Sequence, residues 1–390
     1  MEFRIKNHVL TQFIDEDGVS AVEIPGSIST IGNSAFENCQ TLKNVVISEG
    51  VQEIDSMAFR GCKELQSIML PETLWCIGSG AFYGCEKLQN ITLPASVRKI
   101  GSLVFEFCEK LQSITIPQGI KEIGNFMFCG CKELQSVTLP DSVTSIGICA
   151  FECCDSLQNL RLPSELEILE EMSLKSCHSL QSLTIPAKVS RIERLTFTYC
   201  RELQSIILPK NLTYIGDAAF DSCTKLPSII LPETVTQIGK NVFDDCDSLK
   251  SIIWGSAVIR TDDYDKKALS NDLMMVSEML ETKNYHLPIS DKTKFPVLLA
   301  YYQKHPEPEL REYLKANFKL FFPFLLQNDD AAQTATVLKI DGIIPNSDIM
   351  QKVLDLVFQH TQEGRNPEIQ MLFLRYQEEH FTRETKELRL

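Results

Sequence analysis

No apolar stretch in this 390-residue chain approaches the ~18 residues that a membrane-crossing helix requires, so membrane insertion by a helix is excluded. Basic residues are in deficit. Lys and Arg number 38 against 52 Asp and Glu, a formal charge of −14, which argues against nucleic acid or an anionic membrane as partner. The six histidines (His8, His178, His286, His305, His360, His380) form no motif with a serine, cysteine or carboxylate. P-loop, dinucleotide fingerprint and His-Glu-x-x-His are all missing, and Asp262, Asp263 and Asp265 lack the glycine and closing glutamate of a calcium loop. A binding protein without cofactor or metal is therefore expected in preference to an enzyme. The opening Met1-Glu-Phe-Arg has neither the apolar core nor the cleavage site of an export signal, so a cytoplasmic location is expected. The alternative is a cell-surface protein whose signal has been removed.

What the chain does have is a repeat. Proline recurs at Pro71, Pro94, Pro117, Pro140, Pro163, Pro186, Pro209 and Pro232 in steps of 23, with Pro25 in the same register and Ser48 in the gap. A phenylalanine column runs from Phe36 to Phe243 with Leu174 as its one exception. A cysteine column follows three residues later, from Cys39 to Cys246, and an unbroken leucine column from Leu42 to Leu249. Ten cycles fill residues 25–254. In the cycle that begins at Pro71, Leu88-x-x-Ile91-x-Leu93 is a strand pattern with Ile91 and Leu93 inward and Asn90 and Thr92 outward. Pro94 then ends the strand, since it has no N–H to donate. Ile77-Gly78-Ser79 reads as a turn into a short helix, and Ala81-Phe82-x-x-Cys85 has one helical turn's spacing. Asn33, Ser56, Ser79, Ser102, Asn125 and Asp217 stand where such a helix would be capped. A single cycle buries too little to order itself, so the cycles must stack.

These columns resemble the BspA-like (Treponema-type) leucine-rich repeat family, whose consensus runs Leu-x-x-Ile-x-Ile-Pro-x-x-Val-x-x-Ile-Gly-x-x-Ala-Phe-x-x-Cys. The opening Phe3-Arg4-Ile5 through Asp17-Gly18-Val19 to Ile24-Pro25 is similar to that family's N-terminal hairpin cap. The resemblance implies an α/β solenoid of ten 23-residue repeats, with parallel strands and short convex helices. It also implies protein-binding work, including that of bacterial adhesins that engage host matrix proteins. Glu170 and Glu193 replace the repeat's glycine and Leu174 its phenylalanine, so a remodelled turn and a bend are expected there.

The 23-residue register stops after Trp254, and Arg260 to Lys266 reads as a polar linker. Apolar residues then recur at helical spacing over 269–280, 295–302, 310–326, 331–338, 349–358 and 369–376. Pro306, Pro308, Pro345 and Pro367 mark helix starts, and Pro323 is expected to kink or split its helix. The organisation expected is thus a hairpin cap (1–24), a solenoid (25–254) and a C-terminal all-α domain (255–390), distantly similar to ankyrin hairpins. The helical part is expected to cover the solenoid's end, which would otherwise be an open edge.

Fourteen cysteines suggest disulfides or metal until their spacing is considered. Equivalent positions in stacked cycles project in parallel and do not aim at each other as a disulfide requires. Buried, reduced thiols and a reducing compartment are expected for all ten in the column. Off the column lie Cys76, Cys129, Cys149 and Cys153, whose spacings match no zinc module. Asn90-Ile-Thr92 and Asn211-Leu-Thr213 are glycosylation sequons of chance occurrence. Recognition is expected on the outward strand face. One outward column is uniform, Asn or Ser from Asn44 to Ser251, and can carry little specificity. Its neighbour varies and is the candidate binding surface: Val46, Met69, Thr92, Thr115, Thr138, Arg161, Thr184, Ile207, Ile230 and Ile253. Ile207, Ile230 and Ile253 read as an apolar stripe for a protein partner or a second copy.

Overall fold

The computed structural model describes residues 1–15, 18–261 and 264–381. Asp17 of the expected cap and Asp262 and Asp263 of the expected linker lie outside the described residues. The chain forms two compact units, residues 1–250 with 265–270, and residues 251–264 with 271–390.

The first unit is a solenoid. It opens on the antiparallel hairpin Glu2–Lys6/Val9–Ile14, whose two-residue turn puts Asn7 and His8 at φ 50° and 61°. Ten turns follow, and each contributes a strand to a front sheet, from Ala21–Ile24 in the first to Ser228–Leu231 in the tenth. Pairing is parallel and in register, with Ser113 against Ser136 and Thr115 against Thr138. Ile91 and Leu93 are buried while Asn90 and Thr92 are exposed, as the alternation requires.

Each turn also contributes a second short strand, such as Cys76–Ile77, to a parallel side sheet that the sequence did not disclose. The glycine after it is a matter of space. A Cβ on Gly216 would lie 2.6 Å from the backbone nitrogen of Arg194 in the preceding turn. The side sheet is interrupted between Lys99–Ile100 and Glu122–Ile123 and again between Ile168–Leu169 and Arg191–Ile192. Nothing in the structure explains the first interruption.

The short convex helices are corrected. Where they were expected the chain runs as linked turns, because two residues per cycle take positive φ, for example Met57 (56°) with Gly61 (68°) and Leu103 (60°) with Phe107 (57°). The backbone N–H groups there alternate between two kinds of partner. Ala35, Glu37 and Cys39 bond back three residues within their turn, while Ser34, Phe36 and Asn38 bond to Ser56, Ala58 and Arg60 in the next. An α-helix would satisfy all of these internally and leave the turns unlinked. The expected caps work across turns too: Asn125 Oδ1 accepts from Ile148 N and Asp217 Oδ1 from Lys240 N.

The phenylalanine column lies behind this wall with its rings stacked at 4.7–5.7 Å. Leu174 interrupts it between Phe151 and Phe197. The cysteine column has a further role. Nine thiols, from Cys62 to Cys246, each donate to the carbonyl 26 residues earlier at 3.0–3.3 Å. All fourteen cysteines are free thiols. The expectation of burial fails at Cys39, which is half-buried. The adjacent Cys62 thiol holds that of Cys39 below the ordinary range.

The second unit begins with a hairpin, Ser251–Trp254/Ala257–Arg260, that helical spacing did not signal. Among the described residues seven helices follow, α1 to α7 in order: Lys266–Thr282, whose first turn belongs to the first unit, then Asp291–Lys304, Pro308–Ala316, Phe318–Asn328, Ala331–Leu338, Ser347–Gln362 and Pro367–His380. Pro308 and Pro367 open their helices as expected. The split foreseen at Pro323 falls instead at Asn317, and Pro323 lies inside α4. Lys294 is buried and donates to the carbonyls of Tyr285 and Leu287, which fixes the segment leading into α2. Burial holds its amine below the usual lysine range.

Candidate binding surface

The variable outward column lies on the front sheet of the solenoid. Strand alternation puts Met69, Thr92, Thr115, Thr138, Arg161, Thr184, Ile207 and Ile230 in solvent. Met69, Ile207 and Ile230 are between 62% and 66% exposed, high values for aliphatic side chains. Ile253 differs. It is half-buried, because the hairpin pairs it with Val258 in the second unit.

Three residues of the variable column, Arg161, Thr184 and Ile207, come together around a depression of about 730 Å³. Asn159, Ser182 and Ser205 line it as well. Their uniform column is the one that, by sequence, can carry little specificity. The signal for the depression is the neighbouring run of Glu170, Leu174 and Glu193, which the sequence marks only as a remodelled turn and a bend; the depression lies where the front sheet is interrupted between Asn159–Leu160 and Ser182–Thr184. Arg161 Nη2 is 4.0 Å from Asp141 Oδ1, and both side chains are largely in water, so the pair is screened and leaves the guanidinium accessible. The lining offers hydroxyls, an amide, one cation and the branched aliphatic side chains of Leu160, Leu162, Leu183 and Ile207, with no carboxylate among its residues.

The same columns can be compared with known proteins. A pattern described as BspA type leucine rich repeat region (6 copies) matches residues 11–132, 99–201, 121–250 and 190–269, which together cover residues 11–269. The chain belongs to the BspA-type leucine-rich repeat family. A leucine-rich cell surface protein from Faecalibacterium prausnitzii is 27% identical, with TM-score 0.48 over 64% of this chain and 86% of that one. The pneumococcal vaccine antigen PcpA is 25% identical, with TM-score 0.46 over 60% and 61%. A leucine-rich repeat protein of T. pallidum is 24% identical, with TM-score 0.34 over 58% and 87%. Among curated proteins none matches.

Within this BspA-type solenoid the off-column cysteines do not converge on a metal. Among the described residues no group of three or more His, Cys, Asp and Glu is placed to hold one. Cys129 and Cys149 are buried, and desolvation pushes each thiol up to about 12. In the second unit a cavity of about 480 Å³ is lined by Arg260, Tyr264, Lys292 and Phe324 among others. The Tyr264 hydroxyl donates to Asp272 at 2.6 Å. Burial and that hydrogen bond push its pKa up to about 12. This arrangement orders the start of α1 against α2 through Thr293.

Proposed function

We propose that this protein is a non-enzymatic scaffold that binds a protein partner through the front sheet of its solenoid. The supporting observation is the exposed variable column, in which Arg161, Thr184 and Ile207 rim the depression and Ile230 continues its apolar side. A leucine-rich repeat solenoid suits such work because many short strands form one continuous surface. The fourteen free thiols support a reducing compartment, hence a cytoplasmic location. Cell fractionation separates this from the adhesin alternative, which requires the chain outside the cell.

The deciding variant is Ile230→Glu. The side chain is 62% exposed, so folding should be indifferent to the change, and melting should stay within about 0.5 kcal/mol of the parent. Loss of self-association in sedimentation, or of capture of a partner from the native cell, with unchanged melting supports the reading. If association and capture are both unchanged, the surface has no binding role.

A further inference from the structure

We infer that the solenoid is jointed between its seventh and eighth turns, and that the two blocks rock about the wall of turns so as to open and close the depression. Five observations meet at this step. The front sheet has no ladder between Asn159–Leu160 and Ser182–Thr184, and the side sheet has none between Ile168–Leu169 and Arg191–Ile192. At every other step between the first ten turns at least one of the two ladders is continuous. The step at Lys99–Ile100, for instance, loses only the side sheet and keeps Asn90 against Ser113 in front.

Side chains change at the same place. Glu170 and Glu193 occupy the position where Gly216 and its equivalents pack against backbone. Leu174 interrupts the stacked rings. Ser173, where most turns carry a small apolar residue, is fully buried with its Oγ unpaired. The wall of turns stays linked. Met172 N donates to Arg194 O, Leu174 N to Thr196 O and Ser176 N to Thr198 O, at 2.8–3.2 Å.

Two sheets without ladders, bridged in front only by a long bond from Gln181 N to Gln158 O at 3.5 Å, and one wall with all three links make a hinge. Stacked repeats contact only their neighbours, so a weak step divides the solenoid without loosening the turns on either side. The mouth of the depression spans this step, from Arg161 on one block to Thr184 on the other, so rocking changes its width.

Hydrogen exchange on the full chain tests the joint without any partner. Amides of Ser182–Thr184 and Arg191–Glu193 should exchange at least about tenfold faster than Ser136–Thr138 and Ser145–Gly147. Met172, Leu174 and Ser176 should remain as protected as Phe126, Phe128 and Gly130. Uniform rates across the two sheets would overturn the joint. So would fast exchange in the wall, because that means an unfolded turn in place of a hinge. The double variant Leu174→Phe/Glu193→Gly restores the repeat's own residues and should slow exchange at the step. A folded double variant with exchange unchanged would also overturn the inference.

Discussion

Cys108 donates its thiol to the carbonyl of Phe82, one turn back, at 3.3 Å. The same bond recurs up the solenoid, so the column's chemistry is donation between turns and not disulfide or metal. Both partners are fully buried. Cys108→Ala should therefore lose the bond and leave a small void, lowering stability by about 1–3 kcal/mol. Urea unfolding of the purified protein measures it. An unchanged midpoint would mean that the thiol only fills space.

The buried thiols also make stability fall at alkaline pH. Desolvation pushes Cys200 and Cys246 up to about 12, while an unfolded thiol ionises near ~8.5. Above that pH the folded state holds protons that the unfolded state releases, so stability falls as pH rises. Each such thiol contributes a slope of ~1.4 kcal/mol per pH unit until its folded pKa is reached. These two alone give ~3 kcal/mol per unit, and other buried column thiols are shifted the same way. The urea midpoint should be level from pH 7 to 8 and drop steeply between pH 9 and 10. A level midpoint through pH 10 would contradict this.

In the helical unit Asp329 ties three elements together. It ends α4 at φ 53°, and its Oδ1 accepts from His360 Nε2 of α6 and from the backbone nitrogen of Asn366 before α7, both at 3.1 Å. Asp329→Ala removes both bonds and should cost about 1–3 kcal/mol in thermal unfolding. Asp329→Asn tolerates the left-handed backbone and keeps one acceptor, so it should cost less. Equal losses for the two variants would place the effect in the charge and not in the bonds.

Inward and outward faces of each front strand were legible because a period of two leaves no choice once Ile91 and Leu93 must be buried. The wall of turns was not. Ala-Phe-x-x-Cys has the spacing of a helical turn, but every second N–H there is taken by the next cycle, a partner 22 residues away that local propensity does not register. Met57, Leu103 and Phe126 at positive φ are equally opaque, since those residue types disfavour that region by themselves. Of the candidate surface, exposure of the column was legible, and Ile253 was misread because its burial depends on a hairpin beyond the repeat. The depression was half visible. Glu170, Leu174 and Glu193 marked the place, while its form depends on two interrupted ladders that no residue encodes alone.

The 26-residue reach of the cysteine bond and the 22-residue reach of the wall both connect one turn to the next and go no further. Gain or loss of a whole 23-residue unit within the first six steps would therefore recreate the same bonds at a new junction. A gene for this protein can change length there by unequal recombination and still encode a stacked solenoid. At the step between Asn159 and Ser182 such an exchange would shift Arg161 away from Thr184 and Ile207, so that segment is the one whose copy number is tied to the shape of the depression.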